Sequence, residues 1–234
     1  MIIEGAIAVK SAIHNRKRSV SMVYIDKNKK TKDFNYIRKL CKTNGIDLQE
    51  MDSEALKELL KGKTHGGIGA EVSLRQEDDF VEGDIFYLEG IEDPFNLGYA
   101  MRTLYALGIN NVLLGSRDYT NMQDQLLKSS AGAYDCLHVR IIRDEIAELK
   151  RFKEEGYYLY SLYRGEDSKD IFSVDFKEKA IFMLGGEKRG LKAEVLELAD
   201  ESLYISYGNE FRNALNACAA VDVVATLRFY QKRK

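Results

Sequence analysis

Proline, tryptophan, histidine and cysteine are all scarce in this sequence. Its 234 residues include one proline, three cysteines, three histidines and no tryptophan. The cysteines, Cys41, Cys136 and Cys218, are odd in number and far apart, which indicates neither a disulfide framework nor a zinc cluster. We expect buried, reduced thiols in a cytoplasmic protein.

The few histidines offer little for catalysis or metal binding. His14 and His65 belong to the basic N-terminal part of the chain, and His138 stands inside an apolar strand pattern. No carboxylate–histidine spacing proposes a metal ligand set, and no Ser-His-Asp arrangement is evident. We therefore predict no metal cofactor.

Long apolar runs are missing as well. The sequence has no run of about 18 apolar residues, the length that a membrane helix needs. The N-terminal stretch MIIEGAIAVKSAIHNRKRS lacks the order and cleavage site of a secretory signal. We predict no membrane partner. The composition, 45% hydrophobic and 31% charged, is instead typical of a globular protein with a sizeable core.

Charge is distributed unevenly along the chain. Residues 1–76 contain 15 Lys and Arg against 9 Asp and Glu, whereas residues 77–234 contain 20 against 28. A basic module joined to an acidic one points to a polyanion partner for the first. An ordinary solvated basic surface is an equal alternative on charge alone.

Strand and helix patterns alternate in both parts. In residues 1–76 we predict helices over 4–14, 34–45 and 53–63, with Ser53 as a helix cap, and strands at SVSMVYI, IDLQEM and HGGIGAEVSL. This alternation predicts a small α/β sandwich. The acidic joint QEDDFVEGD follows, and we place a linker at 77–83 and a second domain at 84–234.

The second domain repeats the alternation over a longer stretch. Strands are predicted at DIFYLEGI, NNVLLG, CLHVRII, YYLYSLY, KAIFMLGG and SLYISYG. Helices are predicted at NLGYAMRTLYALG, QDQLLKSSAGAYD, IAELKRFKEEG, KAEVLELAD and over 213–234. The pattern predicts a mostly parallel sheet covered by helices.

One segment of possible chemical importance is DPFNLGYAMRT, at a strand-to-helix turn. Asn96 is a candidate helix cap, Gly98 permits close approach, and Arg102 follows within the first two helical turns. A cation near that end gains nothing from the helix dipole, so Arg102 is a candidate for function. A plain surface arginine is the alternative.

Two further segments also follow strands of the predicted sheet. FMLGGEKRGLKAEV, residues 182–195, is a glycine loop but neither a Walker loop nor a dinucleotide fingerprint. NEFRNALNACAA, residues 209–220, places polar side chains among small apolar residues. Ligands bind at the carboxyl ends of strands in such sheets, so the three segments can converge on one site. An ordinary turn also explains the glycines, and Glu187 beside Lys188 also fits a simple ion pair.

At these segments the sequence resembles the SpoU (TrmH-like) branch of the knotted SPOUT RNA methyltransferases. The first family motif, N-x-G-x-x-x-R, is matched by Asn96, Gly98 and Arg102. The second, L-G-x-E-x-x-G-L, and part of the third, an I-P strand end followed by S-L-N-V-S-x-A, are also matched. The matching residues are Leu184, Gly185, Glu187, Gly190 and Leu191, then Ile205, Leu215, Asn216 and Ala220. KSSAGAY resembles a further family segment, and residues 1–76 resemble the family's ribosomal-protein-like RNA-binding domain.

The resemblance implies a 2′-O-ribose methyltransferase that uses S-adenosylmethionine on ribosomal or transfer RNA. It implies a C-terminal trefoil-knotted domain, a homodimer, and an active site at the subunit interface. Arg102 is then the first catalytic candidate, since it can orient a phosphate and assist the 2′-hydroxyl. Asn96, Glu187 and Asn216 would position the ribose and hold the loops. The donor pocket would be lined by Leu184, Gly185, Gly186, Ile205, Tyr207 and Leu215.

The match to the third motif is incomplete. Ser206 stands where the family has proline, and Ala214 and Cys218 stand where it has serines. Loss of a hydroxyl at position 214 removes a possible hydrogen bond worth about 1 kcal/mol. A non-catalytic RNA-binding or dimerisation module on the same scaffold is therefore the main alternative. A different α/β nucleotide-binding enzyme is a third possibility, although no other fingerprint fits.

Overall fold

The computed structural model describes residues 1–62, 65–186, 188–210 and 213–233. It divides the chain into two compact units. The first combines residues 1–76 with 119–136, and the second combines 77–118 with 137–234. Residues 119–136 thus pack with the N-terminal part, although the sequence places them in the second predicted domain. The predicted domain boundaries at 76 and 84 stay a prediction.

The first unit is built on a four-stranded sheet. Its strands are β1 (Ile2–Glu4), β2 (Val20–Asp26), β3 (Asp47–Met51) and β4 (Ile68–Val72), in the order β1-β4-β2-β3. β2 and β3 are parallel, and β4 runs antiparallel to both β1 and β2. The helices are α1 (Ala6–Asn15), α2 (Lys32–Asn44), α3 (Ser53–Leu59) and, from the later segment, α5 (Gln123–Ser129). The predicted small α/β domain is confirmed.

Three local predictions in this unit are wrong. The helix predicted from Glu4 begins only at Ala6, because Gly5 has a φ of 92° and the preceding residues pair with β4. Asp52, not Ser53, precedes α3, since the Ser53 hydroxyl donates to Asp26 over 2.7 Å. The helix predicted over 123–135 ends at Ser129, because the next turn needs left-handed backbone, with φ of 51° at Ala131 and 89° at Gly132.

A buried ion pair joins the later segment to the rest of the first unit. The Arg18 guanidinium donates to both carboxylate oxygens of Asp135, at 3.0 and 2.7 Å, and both side chains are fully buried. Gln123 accepts further hydrogen bonds from Arg18 and from the Arg75 amide. Since unpaired buried charge is costly, this network ties 119–136 to the N-terminal sheet.

Within its described residues, the second unit contains seven strands, all paired in parallel. They are β5 (Ile85–Glu89), β6 (Asn111–Leu114), β7 (His138–Ile141), β8 (Tyr158–Leu162), β9 (Lys169–Asp170), β10 (Ala180–Gly185) and β11 (Glu201–Tyr204). The order is β7-β6-β5-β10-β8-β11-β9. Helices α4 (Pro94–Ala106), α6 (Glu145–Glu154), α7 (Ala193–Leu196) and α8 (Ala217–Gln231) accompany them. Every residue of β5 is buried, as expected for a central parallel strand. The predicted parallel α/β fold is confirmed.

The last helix is shorter than predicted and is fixed at both ends. It starts at Ala217 instead of 213, because Asn216 has non-helical backbone and accepts a hydrogen bond from the Cys218 amide over 2.9 Å. Near its other end, buried Arg228 makes two hydrogen bonds to Asp84, at 2.7 and 2.8 Å. The helix predicted at KAEVLELAD likewise shrinks to the single turn α7.

Candidate active site

The carboxyl ends of β8, β10 and β11 open into a pocket of about 350 Å³. Its walls are mostly apolar side chains and backbone, contributed by the strand ends and the chain that leads into α8. All six residues predicted for the donor pocket line it: Leu184, Gly185, Gly186, Ile205, Tyr207 and Leu215. Ala214, which replaces the family serine, lines it too.

Two of these glycines lie too close to other backbone atoms to carry a side chain. A Cβ on Gly185 would lie 2.1 Å from the carbonyl carbon of Gly190. A Cβ on Gly186 would lie 2.1 Å from the carbonyl oxygen of Gly90. The glycine loop therefore folds back on itself at Gly190 and packs against the turn after β5 at Gly90, which no larger residue would permit.

A smaller cavity of about 160 Å³ shares Ala217 with the donor pocket. Asn96, Glu92 and Lys188 line it, together with the turn between β5 and α4. Lys188 donates to Glu92 over 2.8 Å, and this hydrogen bond lowers the pKa of the Glu92 carboxyl. The second cavity thus places predicted site residue Asn96 beside the donor pocket.

Asn96 does not cap α4, contrary to the prediction. The Asp93 carboxylate accepts from the Phe95 amide at 2.9 Å, and Pro94 occupies the first helical turn. A proline there needs no backbone donor, so the helix begins two residues earlier than Asn96. Because Asn96 does not cap the helix, its half-buried side chain can contact a ligand in the cavity.

The other predicted catalytic residues lie in different settings. Arg102 is exposed on the third turn of α4 and, within the described parts of the chain, lines neither cavity. Asn216 is exposed at the start of α8, where its carboxamide oxygen caps the helix. Glu187 lies outside the residues that the structure describes.

Buried ionisable groups lie close to the cavities. Burial raises the pKa of Glu89, at the end of β5, while the Lys192 ammonium lies 3.4 Å from its carboxylate. Burial, with a smaller effect of Asp222, raises the pKa of the Cys218 thiol to about 11. Cys218 is therefore neutral at physiological pH and unsuited to act as a nucleophile.

The sequence analysis missed the segment after β8. Leu162, Tyr163 and Arg164 line the donor pocket, and Tyr204 lies beside them. Leu162 and Tyr163 end the predicted strand YYLYSLY and Arg164 directly follows it, so their position at the carboxyl edge of the sheet was an available signal. They lack the glycines and small residues that marked the other three segments.

The chain matches two family models that together span most of its length. Residues 84–226 match the SpoU rRNA Methylase family, and residues 2–77 match the RNA 2′-O ribose methyltransferase substrate binding model. The chain belongs to the SpoU rRNA methylase family. It is accordingly an RNA 2′-O-ribose methyltransferase, and RNA is its partner.

Individual relatives are similar over nearly their full length. A 23S rRNA (guanosine-2′-O-)-methyltransferase, RlmB of Xanthomonas axonopodis pv. citri, is 27% identical, with 94% of this chain and 92% of the relative covered. The mitochondrial rRNA methyltransferase 1 of Schizosaccharomyces pombe is 22% identical, with 94% and 86% covered.

Solved structures share the fold. The SpoU methyltransferase AviRb from Streptomyces viridochromogenes, in complex with AdoMet, aligns with a TM-score of 0.82 and 19% identity, covering 100% of this chain and 91% of that one. An rRNA methyltransferase from Sinorhizobium meliloti aligns with a TM-score of 0.80 and 16% identity, covering 99% and 86%.

Neither a membrane helix nor a metal cluster is found among the described residues. None of their helices is both long enough and apolar enough to cross a bilayer. No three of their His, Cys, Asp and Glu side chains are grouped as ligands for a metal ion.

Proposed function

We propose that this chain methylates the ribose 2′-hydroxyl of a guanosine in 23S ribosomal RNA, with S-adenosylmethionine as the methyl donor. The observation that carries the proposal is the 350 Å³ pocket, which all six residues predicted for the donor line together. The substrate follows from similarity to RlmB proteins over both the catalytic and the substrate-binding regions.

The pocket suits the donor by its chemistry. An adenine ring requires an apolar slot with backbone groups at its edge, and Leu184, Ile205 and Leu215 provide such walls. Bound S-adenosylmethionine supplies an electrophilic methyl group on a sulfonium. The ribose oxygen would receive this methyl as the S–C bond breaks and an O–C bond forms, the hydroxyl proton would pass to water, and S-adenosylhomocysteine would remain as the product.

Arg102 acts on the acceptor and not on the donor. Arginine stays protonated, so it does not accept the hydroxyl proton. Its guanidinium instead holds a backbone phosphate and stabilises the charge that develops on the ribose oxygen. Asn96 positions the ribose from the smaller cavity, and Asn216 holds the start of α8 beside it.

A homodimer explains why Arg102 lies outside its own pocket. Phe95, Tyr99 and Tyr105 are 49%, 48% and 44% exposed and share the outward face of α4 with Arg102. Exposed aromatic side chains grouped on one helix face favour a protein interface. We propose that a second copy covers this face, so that Arg102 of one subunit serves the pocket of the other.

Two further parts of the proposal concern the C-terminal chain and the compartment. We propose that this segment passes through a trefoil knot, as its resemblance to the third motif of the knotted family implies. We also propose that the protein works in the cytoplasm, where ribosomal RNA of bacteria is found and where its three free cysteines stay reduced.

RNA contacts the first unit at the loop between β2 and α2. Lys27, Lys29 and Lys30 are exposed in this loop and Lys32 is exposed at the start of α2, with no acidic residue from 27 to 32. Buried Asp26 supports it by accepting hydrogen bonds from the Ser53 hydroxyl and the Asn28 amide, at 2.7 and 2.9 Å. Several cations on a supported loop match the phosphate backbone of RNA.

Methyl transfer to 23S rRNA from a deletion strain tests the function. Mass spectrometry of the rRNA should show one added 2′-O-methylguanosine with the wild-type protein. Arg102→Ala should lower the rate by about 100-fold or more, whereas Arg151→Ala, on α6, should not. If Arg102→Ala methylates the rRNA at the wild-type rate, Arg102 has no role in the mechanism.

Two binding measurements address the alternatives. Absence of heat on titration with S-adenosylmethionine would favour the non-catalytic RNA-binding module. Replacing Lys30 and Lys32 with alanine should weaken rRNA binding and reduce its salt dependence, while replacing Lys42 and Lys150 should do neither. Equal effects of the two pairs would exclude the β2–α2 loop as the RNA contact.

A further inference from the structure

The turn that follows β8 is held in one shape by hydrogen bonds. The Ser168 hydroxyl donates to the Tyr163 carbonyl over 2.7 Å and accepts from the Gly165 amide over 2.9 Å. The Tyr163 amide in turn donates to the Leu203 carbonyl at 2.9 Å. The backbone on both sides of Arg164 is thus fixed relative to β11.

From this turn, the Arg164 side chain reaches the loop after β11. Its guanidinium donates to the Ile205 carbonyl over 3.0 Å. It also lies 4.7 Å from the ring centroid of Tyr207 and 5.7 Å from that of Tyr204. A planar cation makes all three contacts at once, which a lysine ammonium does not.

Tyr207 extends these contacts to the chain that precedes α8. Its hydroxyl accepts a hydrogen bond from the Leu215 amide over 3.1 Å. Leu215 directly precedes Asn216, the cap of α8. Arg164 and Tyr207 therefore connect three segments that together form one side of the donor pocket.

The same side chains separate two cavities. Arg164, Tyr204 and Tyr207 line the donor pocket and also a larger, open cleft of about 720 Å³. Glu166, Ser206 and Glu210 line the cleft but not the pocket. Truncation of Arg164 would open the donor pocket to this polar cleft.

We infer that Arg164 is a positioning residue that closes the donor pocket by holding Tyr207 and the Leu215 segment in place. The inference rests on the proposed function, because it takes S-adenosylmethionine as the occupant of the pocket. Arg164 acts through Tyr207 and the pocket wall, so its loss affects retention of the donor more than the methyl-transfer step.

Binding of S-adenosylhomocysteine to the full chain tests this inference without turnover. By calorimetry, Arg164→Ala should raise Kd by about tenfold, and Tyr207→Phe, which removes a single oxygen, by about threefold. Arg164→Lys should fall between Arg164→Ala and the wild type. The double variant Arg164→Ala/Tyr207→Phe should raise Kd by less than the product of the two single effects, because Arg164 acts on the pocket through Tyr207.

Arg151 provides a matched control. Its guanidinium also lies over an aromatic ring, 5.3 Å from the centroid of Phe152, and its side chain is 50% exposed. Arg151→Ala should bind S-adenosylhomocysteine as the wild type does. RNA affinity, measured by filter binding, should be equal in all the variants.

The outcomes separate the inference from the proposed function. If the wild-type protein fails to bind S-adenosylhomocysteine, the proposed function is wrong. If the wild type binds and both Arg164→Ala and Tyr207→Phe retain its Kd, only the inference is wrong. If Arg164→Ala melts at a lower temperature than the wild type, the Kd of Tyr207→Phe decides the question. The Kd of the double variant Arg164→Lys/Tyr207→Phe, compared with the product of the two single effects, decides it as well.

Discussion

At the scale of single residues, the buried carboxyl of Glu89 makes the stability of the second unit depend on pH. Glu89 is 7% exposed at the end of β5, accepts from the Lys192 amide at 3.3 Å, and has a pKa raised above its ordinary value of 4.5, chiefly by burial. Folding therefore favours the protonated carboxyl. This stabilisation is complete below the unfolded pKa and is lost as pH rises through the folded pKa.

Replacing Glu89 with glutamine should remove that dependence. The free energy of unfolding of wild type minus that of Glu89→Gln should increase as pH falls from neutral toward 4.5. Urea titrations over this range measure it. Glu92→Gln is the control: Lys188 lowers the pKa of exposed Glu92, so its contribution is lost only below pH 4.5 and the corresponding difference should stay constant over this range. A difference for Glu89→Gln that does not vary with pH would contradict the prediction.

At the scale of elements, the loop after β10 depends on close contacts between backbone segments. Gly186→Ala would place a Cβ 2.1 Å from the Gly90 carbonyl oxygen, which is backbone and cannot rotate away. We expect a loss of about 1–3 kcal/mol in the free energy of unfolding and weaker donor binding. Gly208→Ala is the matched control, since no described atom lies within 4 Å of its added Cβ. If Gly186→Ala and Gly208→Ala have equal urea midpoints, the close contact between Gly186 and Gly90 does not restrict the loop.

Helix α8 depends in a similar way on one ion pair. Arg228 and Asp84 are 3% and 5% exposed, and Arg228 also donates to the Glu178 carbonyl over 2.6 Å. Arg228→Ala leaves the Asp84 carboxylate buried with Lys232, at 2.7 Å, as its remaining cation. Removing one partner of a buried pair typically costs about 3–5 kcal/mol, and we expect the lower end because Lys232 remains.

Urea unfolding of Arg228→Ala and Arg233→Ala measures this contribution. Arg233 is exposed and lies 5.2 Å from the ring centroid of Phe229, so its truncation should cost far less. If both variants lose the same free energy, Arg228 does not fix α8 to the start of β5.

At the scale of the whole molecule, residues 119–136 belong to the second domain by sequence but to the first unit by packing. A fragment of residues 77–234 would lose the partner of Asp135, Arg18, and would uncover Leu126, Leu127 and Tyr134. We expect this fragment to bind a hydrophobic dye and to melt with low cooperativity, as measured by fluorescence and circular dichroism. Adding residues 1–76 in trans should suppress dye binding, and a cooperative fragment without dye binding would contradict the prediction.

The sequence by itself determined the parallel α/β fold and the family. Apolar strand patterns alternating with helical ones predict the layers directly. Two of the three motifs marked strand ends that meet at the donor pocket, and the first marked the adjoining cavity. Residue type was informative at Gly185 and Gly186, because only glycine permits the close backbone contacts found there.

Only the tertiary structure decided how distant segments meet. The ion pairs Arg18–Asp135 and Arg228–Asp84 join residues that lie 117 and 144 positions apart, and local patterns contain no information about such pairings. Arg164 was overlooked for the same reason, since its role comes from contacts with Ile205, Tyr204 and Tyr207. A helix cap was misassigned where a side chain bonded elsewhere, as Ser53 does to Asp26. Local propensity reports what a segment prefers alone, whereas hydrogen bonds and burial between segments are settled only when the chain has folded.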